Sequence, residues 1–197
     1  MSLSSWRQNL FDWWHRAPSG YCPGVTLGHL RRDLAGLECN ARGVAQAVFR
    51  CPQRGLEFTV HERVLAQFLM HIVVCEWRLR IPAPGAGQAR ISLRHTGAIR
   101  RQGVAARLLA GEAGQWTPLL QRLGSDPRLL ESLLPLDFKR LELWRDAQGW
   151  QVRLEHFAAS EVVNRLPGFR RYIRLSAEQR QALLGSFTEL YKLLREF

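Results

Sequence analysis

Arginine is the residue type through which this sequence could do chemistry, and its unbalanced arginines lie in two windows without any acid. The window from Trp77 to Gly111 contains Arg78, Arg80, Arg90, Arg94, Arg100, Arg101 and Arg107. The window from Val162 to Ala177 contains Arg165, Arg170, Arg171 and Arg174. The eleven arginines of the two windows equal the formal net charge of +11, so the positive potential is concentrated in these windows. Guanidinium suits two-point contacts with phosphate or carboxylate, which predicts an anionic partner.

Alternation in the predicted strands places many arginines on one side of a sheet. The outward positions hold Arg78, Arg80, Arg90, Arg94, Arg140 and Arg153. Glu76, Glu142 and Glu155 have the same parity and could pair with these arginines. Two interpretations stay open. The surface is either the solvated side of an antiparallel sheet or an anion-binding face.

The second window interleaves its arginines with aromatic residues, Phe169 and Tyr172. This composition suits phosphate contacts combined with base stacking, or the edge of a lipid headgroup. No helix-turn-helix, zinc finger or RNP-type motif accompanies it. The alternative is a strand and loop whose aromatic side chains belong to the core.

Catalytic and metal-binding patterns are poor, so we expect no catalytic residue, no metal and no cofactor. The sequence contains no Gly-x-Ser-x-Gly, no phosphate-cradling glycine loop and no His-Glu-x-x-His. The cysteines have no Cys-x-x-Cys spacing and are expected to be free thiols: Cys22, Cys39, Cys51 and Cys75. His156, with Ser160 and Glu161 nearby, is interpreted as the end of a strand.

The N-terminal segment predicts an amphipathic helix over Ser5–His15, which begins with capping-box spacing between Ser5 and Gln8. Trp6, Trp13 and Trp14 lie on its apolar side. We expect this stripe to pack on the domain or on a second copy in a homodimer. A membrane surface or a partner's groove is the alternative.

Hydrophobic periodicity predicts the elements that must position these residues. In the first part of the chain, a helix is predicted over Thr26–Leu37 and strands over Val44–Phe49, Leu56–His61, Val73–Ile81 and Ala89–His95. The stretch between His61 and Val73 is ambiguous. Its apolar residues fit one arc of a helix, which we prefer, but residues 62–72 could also form a strand.

In the second part, a helical stretch is predicted over Arg107–Leu134, with breaks at Thr117-Pro118 and at Gly124–Pro127 and with Asp126 as an N-cap. Leu136–Arg145 and Trp150–Phe157 are predicted as a hairpin. Ser176 and Gln179 form a second capping box, which opens a helix with a stripe of Leu183, Phe187, Leu190 and Leu194.

These elements predict a single α+β domain over residues 1–197, with residues 1–16 as a docking helix. Its mostly antiparallel sheet has helices packed on one face and ends in a C-terminal amphipathic helix. An apolar fraction of 46% supports a folded core. The chain has no signal peptide pattern and no run of 18 apolar residues, so we expect a cytoplasmic protein without a transmembrane segment.

The stretch His156–Leu175, together with Leu136–Arg140 before it, resembles a family of bacterial proteins described only as a domain of unknown function. The resemblance implies a bacterial, non-secreted origin. It supplies no activity, cofactor or site residue.

The leading functional hypothesis is non-enzymatic binding of an anionic partner through clustered arginines. That partner would be a nucleic acid, a phospholipid headgroup or an acidic protein. One alternative is an enzyme that clamps a phosphorylated or carboxylated small molecule with arginines. Another is an interaction or scaffold protein that docks through its N-terminal Trp-rich helix.

Overall fold

The computed structural model describes residues 20–85, 87–97 and 101–197. The described α-helices are α1 (Val25–Asp33), α2 (Ala113–Ser125), α3 (Pro127–Leu133) and α4 (Ala177–Leu194), and a 3-10 turn covers Pro52–Arg54. The described strands are β1 (Glu38–Gly43), β2 (Gln46–Cys51), β3 (Leu56–Ala66), β4 (Met70–Ile81), β5 (Ala89–Thr96), β6 (Gly103–Ala110), β7 (Phe138–Asp146), β8 (Gly149–His156), β9 (Ser160–Arg165) and β10 (Gly168–Ile173).

The strands form one antiparallel sheet in the order β1-β2-β3-β4-β8-β7-β5-β6, with the β9–β10 hairpin attached beside this path. Strand β4 is where the sheet branches. Its first residues, Met70–Val73, pair with β9, and its later residues, Glu76–Ile81, pair with β8. Both partners lie on the same side of β4, one after the other.

One side of the sheet is covered by the helices and contains the core. Inward-pointing residues of β4 are fully buried, Trp77 and Leu79 among them. The ring of Phe58 lies 5.5 Å from the rings of both Trp77 and Phe187, which links β3, β4 and α4. All four described helices contribute buried side chains to this single core. Alternation therefore places the other residues of the same strands on the opposite side of the sheet.

The C-terminal helix α4 begins and packs as its sequence predicts. The Ser176 hydroxyl accepts a hydrogen bond from the Gln179 backbone N–H, and the Gln179 side chain accepts one from the Ser176 backbone N–H. The predicted apolar stripe is fully buried, including Leu183, Phe187 and Leu190. The α+β prediction, with a mostly antiparallel sheet and helices on one face, is confirmed.

The preferred helix between His61 and Val73 is wrong. The stretch contains the end of β3, a turn and the start of β4, and the Gln67 backbone N–H donates to the Met70 carbonyl across the turn. Phe68 and Leu69, which a helix would have placed on its buried arc, are exposed at this turn. The helical spacing was misleading because strand pairing with β9 and β3 satisfies this backbone instead.

Three other predictions need correction. Arg107–Ala110 belongs to β6 rather than to a helix, and Pro118 lies inside α2 rather than breaking it. The β9–β10 hairpin replaces what was expected to be a loop. Asp126 does cap α3, since its carboxylate accepts from the Leu129 N–H at 2.9 Å. The N-terminal helix over Ser5–His15 lies outside the described residues.

We expect Leu190→Ala to lower the free energy of unfolding by about 2–5 kcal/mol, because Leu190 is fully buried between α4 and the sheet. Urea denaturation measures this change. Lys192→Ala on the exposed side of the same helix is the control and should change it by less than about 0.5 kcal/mol. Equal changes would show that α4 does not contribute to the core.

Candidate functional site

The side of the sheet opposite the core is dominated by arginine, and we call it the arginine face. Its members point away from the core because strand alternation and pairing register place them on the side opposite the buried residues of the sheet. The arginine face consists of Arg63, Arg78, Arg80, Arg90, Arg94, Arg107, Arg140 and Arg153, with Glu76, Glu142 and Glu155 among them. No helix within residues 20–85, 87–97 and 101–197 packs on this side.

Two glutamates lie directly opposite each other at the centre of the face, Glu76 on β4 and Glu155 on β8. Both are buried, at 4% exposure. Arg63 contacts both carboxylates, Arg78 forms an ion pair with Glu76, and Arg140 lies 3.5 Å from Glu155. The surrounding guanidiniums offset the repulsion between these two like charges.

Glu142 is the third buried carboxylate of the arginine face. Arg140 contacts it at 3.0 Å and Arg90 at 3.2 Å. Burial acts to raise the pKa of Glu142, but the hydrogen bonds and charges of Arg140 and Arg90 together outweigh it, so the pKa is lowered. The three pairings expected from strand parity are therefore present, and each glutamate holds at least two arginines in place.

Arg78 and Arg153 form an unfavourable pair of like charges at directly opposite positions of β4 and β8. Burial lowers the pKa of Arg153, and the charge of Arg78 lowers it further. Directly opposed like charges destabilise a strand pair. The acid next in this row, Glu142, lies opposite Arg153 but is occupied by Arg140 and Arg90. Glu142 and Glu76 partly offset the repulsion, but both are ion-paired with other arginines, and Arg153 forms no ion pair with any described residue.

Trp144 lies between two of these arginines. The Arg90 guanidinium from β5 is 4.3 Å from the centre of the indole ring, and the Arg153 guanidinium from β8 is 4.9 Å from it. Cation–π contact of this kind holds a guanidinium without neutralising it. Trp144 thus orders both arginines: Arg90 is also ion-paired with Glu142, whereas Arg153 forms no ion pair with any described residue.

The outer arginines of the face are more exposed. Arg80 donates to the Gln148 side chain at 2.9 Å. Arg94 on β5 and Arg107 on β6 are exposed and form no ion pair with any other residue the structure describes. These three guanidiniums can contact a ligand without giving up a partner acid.

The other predicted site residues are not members of the arginine face, although register with Val162 and Ile72 places Arg171 on the same side of the sheet. Arg101 pairs with Asp137, and Arg170 with the buried Glu161. Arg171 on β10 is exposed. Arg174 forms an ion pair with Asp33 at 3.4 Å. Arg100 lies outside the described residues, as does the side chain of Arg165. The ten predicted residues therefore do not form one site.

A cavity of about 300 Å³ lies between α1 and β10. It is lined by His29, Arg32, Asp33, Tyr172 and Arg174. The Asp33 carboxylate accepts from the Tyr172 hydroxyl and from the Leu175 N–H, both at 2.9 Å. Burial raises the pKa of Tyr172, and Asp33 raises it further. The Asp33 carboxylate and the Tyr172 hydroxyl are hydrogen-bonded to each other, so neither supplies the free base that a proton-transfer reaction needs.

A model of the family described as "Protein of unknown function (DUF3156)" matches residues 32–194. The chain belongs to this family. The predicted resemblance to a family of unknown function is confirmed. The matched segment contains all of the arginine face and both residues of the Asp33–Tyr172 pair. No curated protein and no solved structure matches the chain.

Two sets of residues escaped the sequence analysis. Arg63 was missed because its segment was assigned to a helix; strand alternation from Leu56 onwards would have placed it on the arginine face. His29, Arg32 and Asp33 were missed because nothing in a single helix indicates that β10 packs beside it. Only the pairing of β9 with β4 brings that hairpin to α1.

The described residues contain no helix of the length and hydrophobicity needed to cross a bilayer. The same part of the chain also contains no group of three His, Cys, Asp or Glu residues arranged to hold a metal ion.

His156, the histidine of the strand-end cluster, is a structural residue. Its ring is buried, and its Nε2 accepts from the Asp137 backbone N–H at 2.9 Å. Burial lowers its pKa. Nearby, Glu161 accepts from the Thr26 hydroxyl at 3.1 Å and pairs with Arg170, so it does not face His156 as a catalytic partner would.

We expect the folded state to lose stability as the pH falls below about 6.5, the pKa of histidine in an unfolded chain. Burial lowers the pKa of His61, His95 and His156. As the pH falls, these histidines therefore bind protons in the unfolded chain before they do so in the folded chain, which favours unfolding. Melting temperatures measured between about pH 7 and pH 5 should decline. His156→Gln should make that decline shallower, and an unchanged slope would contradict this role.

Arg140→Gln should lower the free energy of unfolding by about 1–3 kcal/mol, because it leaves Glu142 and Glu155 with fewer donors in a buried position. Arg94→Gln on the same face is the matched control, with an expected change below about 0.5 kcal/mol. Urea denaturation of the two variants measures both. Similar losses would mean that the buried glutamates do not depend on Arg140.

Proposed function

We propose that this protein binds an extended, phosphate-bearing anionic partner through its arginine face. The observation that carries the proposal is the opposed Arg78–Arg153 pair: burial and the like charge of Arg78 both lower the pKa of Arg153, which forms no ion pair with any residue that the structure describes. An anion placed over the two guanidiniums would convert an unfavourable contact into two favourable ones. A face that served only as a solvated sheet surface has no reason to keep cations opposite each other.

Preorganisation supports the same proposal. Glu76, Glu142 and Glu155 and the Trp144 ring hold several guanidiniums in fixed positions before any ligand arrives. Ordering flexible side chains is one of the main free-energy costs of binding. That cost is smaller here, because the guanidiniums are already held in place in the folded protein. The buried glutamates therefore support the binding of anions, although they reduce the net charge.

The dimensions of the face favour an extended partner over a small metabolite. Six neighbouring strands carry it, from β3 to β6 in the sheet order, which spans roughly 24 Å at the usual strand spacing. Several phosphates of a polymer or a surface would fit this distance. The enzyme alternative would need a free acid or base in a cavity, and in the cavity at Asp33 the carboxylate is already hydrogen-bonded to the Tyr172 hydroxyl.

The proposal includes the wider predictions that residues 1–197 act as one domain, that Trp6, Trp13 and Trp14 dock it or dimerise it, and that it works in the cytoplasm. The four cysteines are free thiols, which is typical of a reducing compartment.

Charge reversal of the exposed arginines tests the proposal. The triple variant Arg80→Glu, Arg94→Glu, Arg107→Glu should lose binding to single-stranded polyuridylate at low salt, because these guanidiniums have no acid to release. The control reverses three exposed arginines on the helix-covered side of the molecule: Arg31, Arg54 and Arg128. Both variants change the net charge equally, and fluorescence anisotropy measures both. Arg78 and Arg90 are left intact because they hold buried glutamates.

Binding by the unaltered protein should weaken with salt, with a slope of log K against log[salt] of roughly −0.7 per phosphate contacted. The face variant should reduce that slope, whereas the control should keep it. Equal losses in the two variants would show that only net charge matters. No binding of the unaltered protein to polyuridylate, heparin or anionic vesicles would refute the proposal.

A further inference from the structure

Two β-hairpin turns form an exposed apolar tip at the end of the sheet where β4 begins. One turn joins β3 to β4 and carries Phe68, at 91% exposure, and Leu69. The other joins β9 to β10 and carries Leu166, at 74% exposure, with Phe169 just after it. We call these four residues the hairpin tip.

Strand register brings the two turns together. Met70, the first residue of β4, lies opposite Asn164 near the end of β9. The β3–β4 turn lies just before Met70 in the chain, and the β9–β10 turn lies just after Asn164. Neighbouring strands lie about 4.8 Å apart, so the two turns are side by side rather than at opposite ends of the molecule.

The hairpin tip is unusual among the exposed surfaces of this chain. Seven large hydrophobic residues are exposed in the part of the chain that the structure describes, and four of them are in the tip. The other three, Val44, Leu109 and Phe157, lie on separate elements. Isolated exposed apolar residues are ordinary, whereas a cluster on adjacent turns indicates a surface that contacts something.

The chain around the tip is cationic and contains no acid on either hairpin beyond its base. No Asp or Glu occurs between Arg63 and Cys75 or between Val162 and Ala177. The nearest acids are committed to the fold. Glu62 accepts from the Tyr21 hydroxyl and from the backbone N–H groups of Gly24 and Leu27 at the start of α1, and Glu161 pairs with Arg170. Arg171 on β10 is exposed and forms no ion pair with any described residue.

Apolar turns within a cationic, acid-free surround match an anionic bilayer, whose headgroups are negative and whose interior is apolar. A second copy of this chain fits less well, because two such tips brought together would oppose arginine with arginine. An acidic protein would match the charge but would not require two adjacent protruding turns. The charge pattern and the shape together favour lipid.

We propose that the hairpin tip inserts peripherally into anionic phospholipid membranes, with Phe68, Leu69 and Leu166 entering the interface and Arg171 contacting headgroups. This inference does not rest on the arginine face. The members of that face lie on the broad side of the sheet, whereas the hairpin tip lies at the end of its strands. A membrane contact at the tip and a polyanion contact on the face can therefore be tested separately.

Co-sedimentation with vesicles tests the tip. The unaltered protein should bind vesicles of phosphatidylcholine mixed with phosphatidylserine, and bind vesicles of phosphatidylcholine alone much more weakly. The double variant Phe68→Ser, Leu166→Ser should weaken binding roughly ten- to a hundredfold, the effect of keeping large apolar side chains in water. The matched control is Leu109→Ser, Phe157→Ser, which removes the same two residue types from exposed positions elsewhere and should bind as the unaltered protein does.

A depth measurement distinguishes insertion from adsorption by charge. Phe68→Trp should show additional fluorescence quenching by brominated lipids, relative to the unaltered protein, whereas Phe157→Trp should show none. The face variant Arg80→Glu, Arg94→Glu, Arg107→Glu should keep this additional quenching when combined with Phe68→Trp, even if polyuridylate binding fails.

Three results would overturn the inference. The first is an unaltered protein that binds neither kind of vesicle or binds both equally. The second is a double tip variant that binds as tightly as its matched control. The third is a double tip variant whose only change is a smaller sedimentation coefficient, which would assign the tip to contact between copies of the chain.

Discussion

The alternation of side chains along β4 is the constraint on which the rest of the structure depends. One set of its residues, including Trp77 and Leu79, is buried in the only core of the described chain, and the intervening set, including Glu76 and Arg78, faces the other way. Strand β4 pairs with three strands, β3, β8 and β9. The residues of β4 that face the core therefore determine which residues of those three strands face it. A shift of one residue would bury Glu76 and Arg78 under α4 and expose Trp77, at a cost no other contact could offset. The core and the arginine face are therefore two consequences of one register.

The arginine face shows how a surface can be both ordered and cationic. Its glutamates are buried beneath guanidiniums. The exposed positive charge of the face is therefore not given by the number of arginines minus the number of glutamates. Glu142 restrains Arg140 and Arg90, and the Trp144 ring restrains Arg90 and Arg153, while the outermost arginines remain exposed. Solvated ion pairs add little stability, whereas these arginines satisfy glutamates that are buried. The same pairs also fix the geometry in which positive charge is presented.

Local sequence predicted the parts of this fold that local interactions determine. The capping box of α4, the Asp126 cap of α3 and the strand parity that pairs Glu142 with Arg140 could all be seen in short windows. Prediction failed where distant pairing decides the structure. The segment from His61 to Val73 has helical spacing, yet its pairing with β9 makes it strand and turn. The β9–β10 hairpin, the cavity at Asp33 and the hairpin tip follow from that same pairing, and each was missed for the same reason.

The branching of β4 has a consequence for how this architecture can vary. The path β1-β2-β3-β4-β8-β7-β5-β6 is continuous without β9 and β10, whose only pairing with that path in the described sheet joins β9 to the first residues of β4. The hairpin is thus a side branch whose far end projects from the sheet rather than closing it. Adding or removing residue pairs at that end would change how far the molecule reaches, while the hydrophobic interior and the strand order would stay as they are. The length of this hairpin can therefore vary independently of the core and of the order of the other strands.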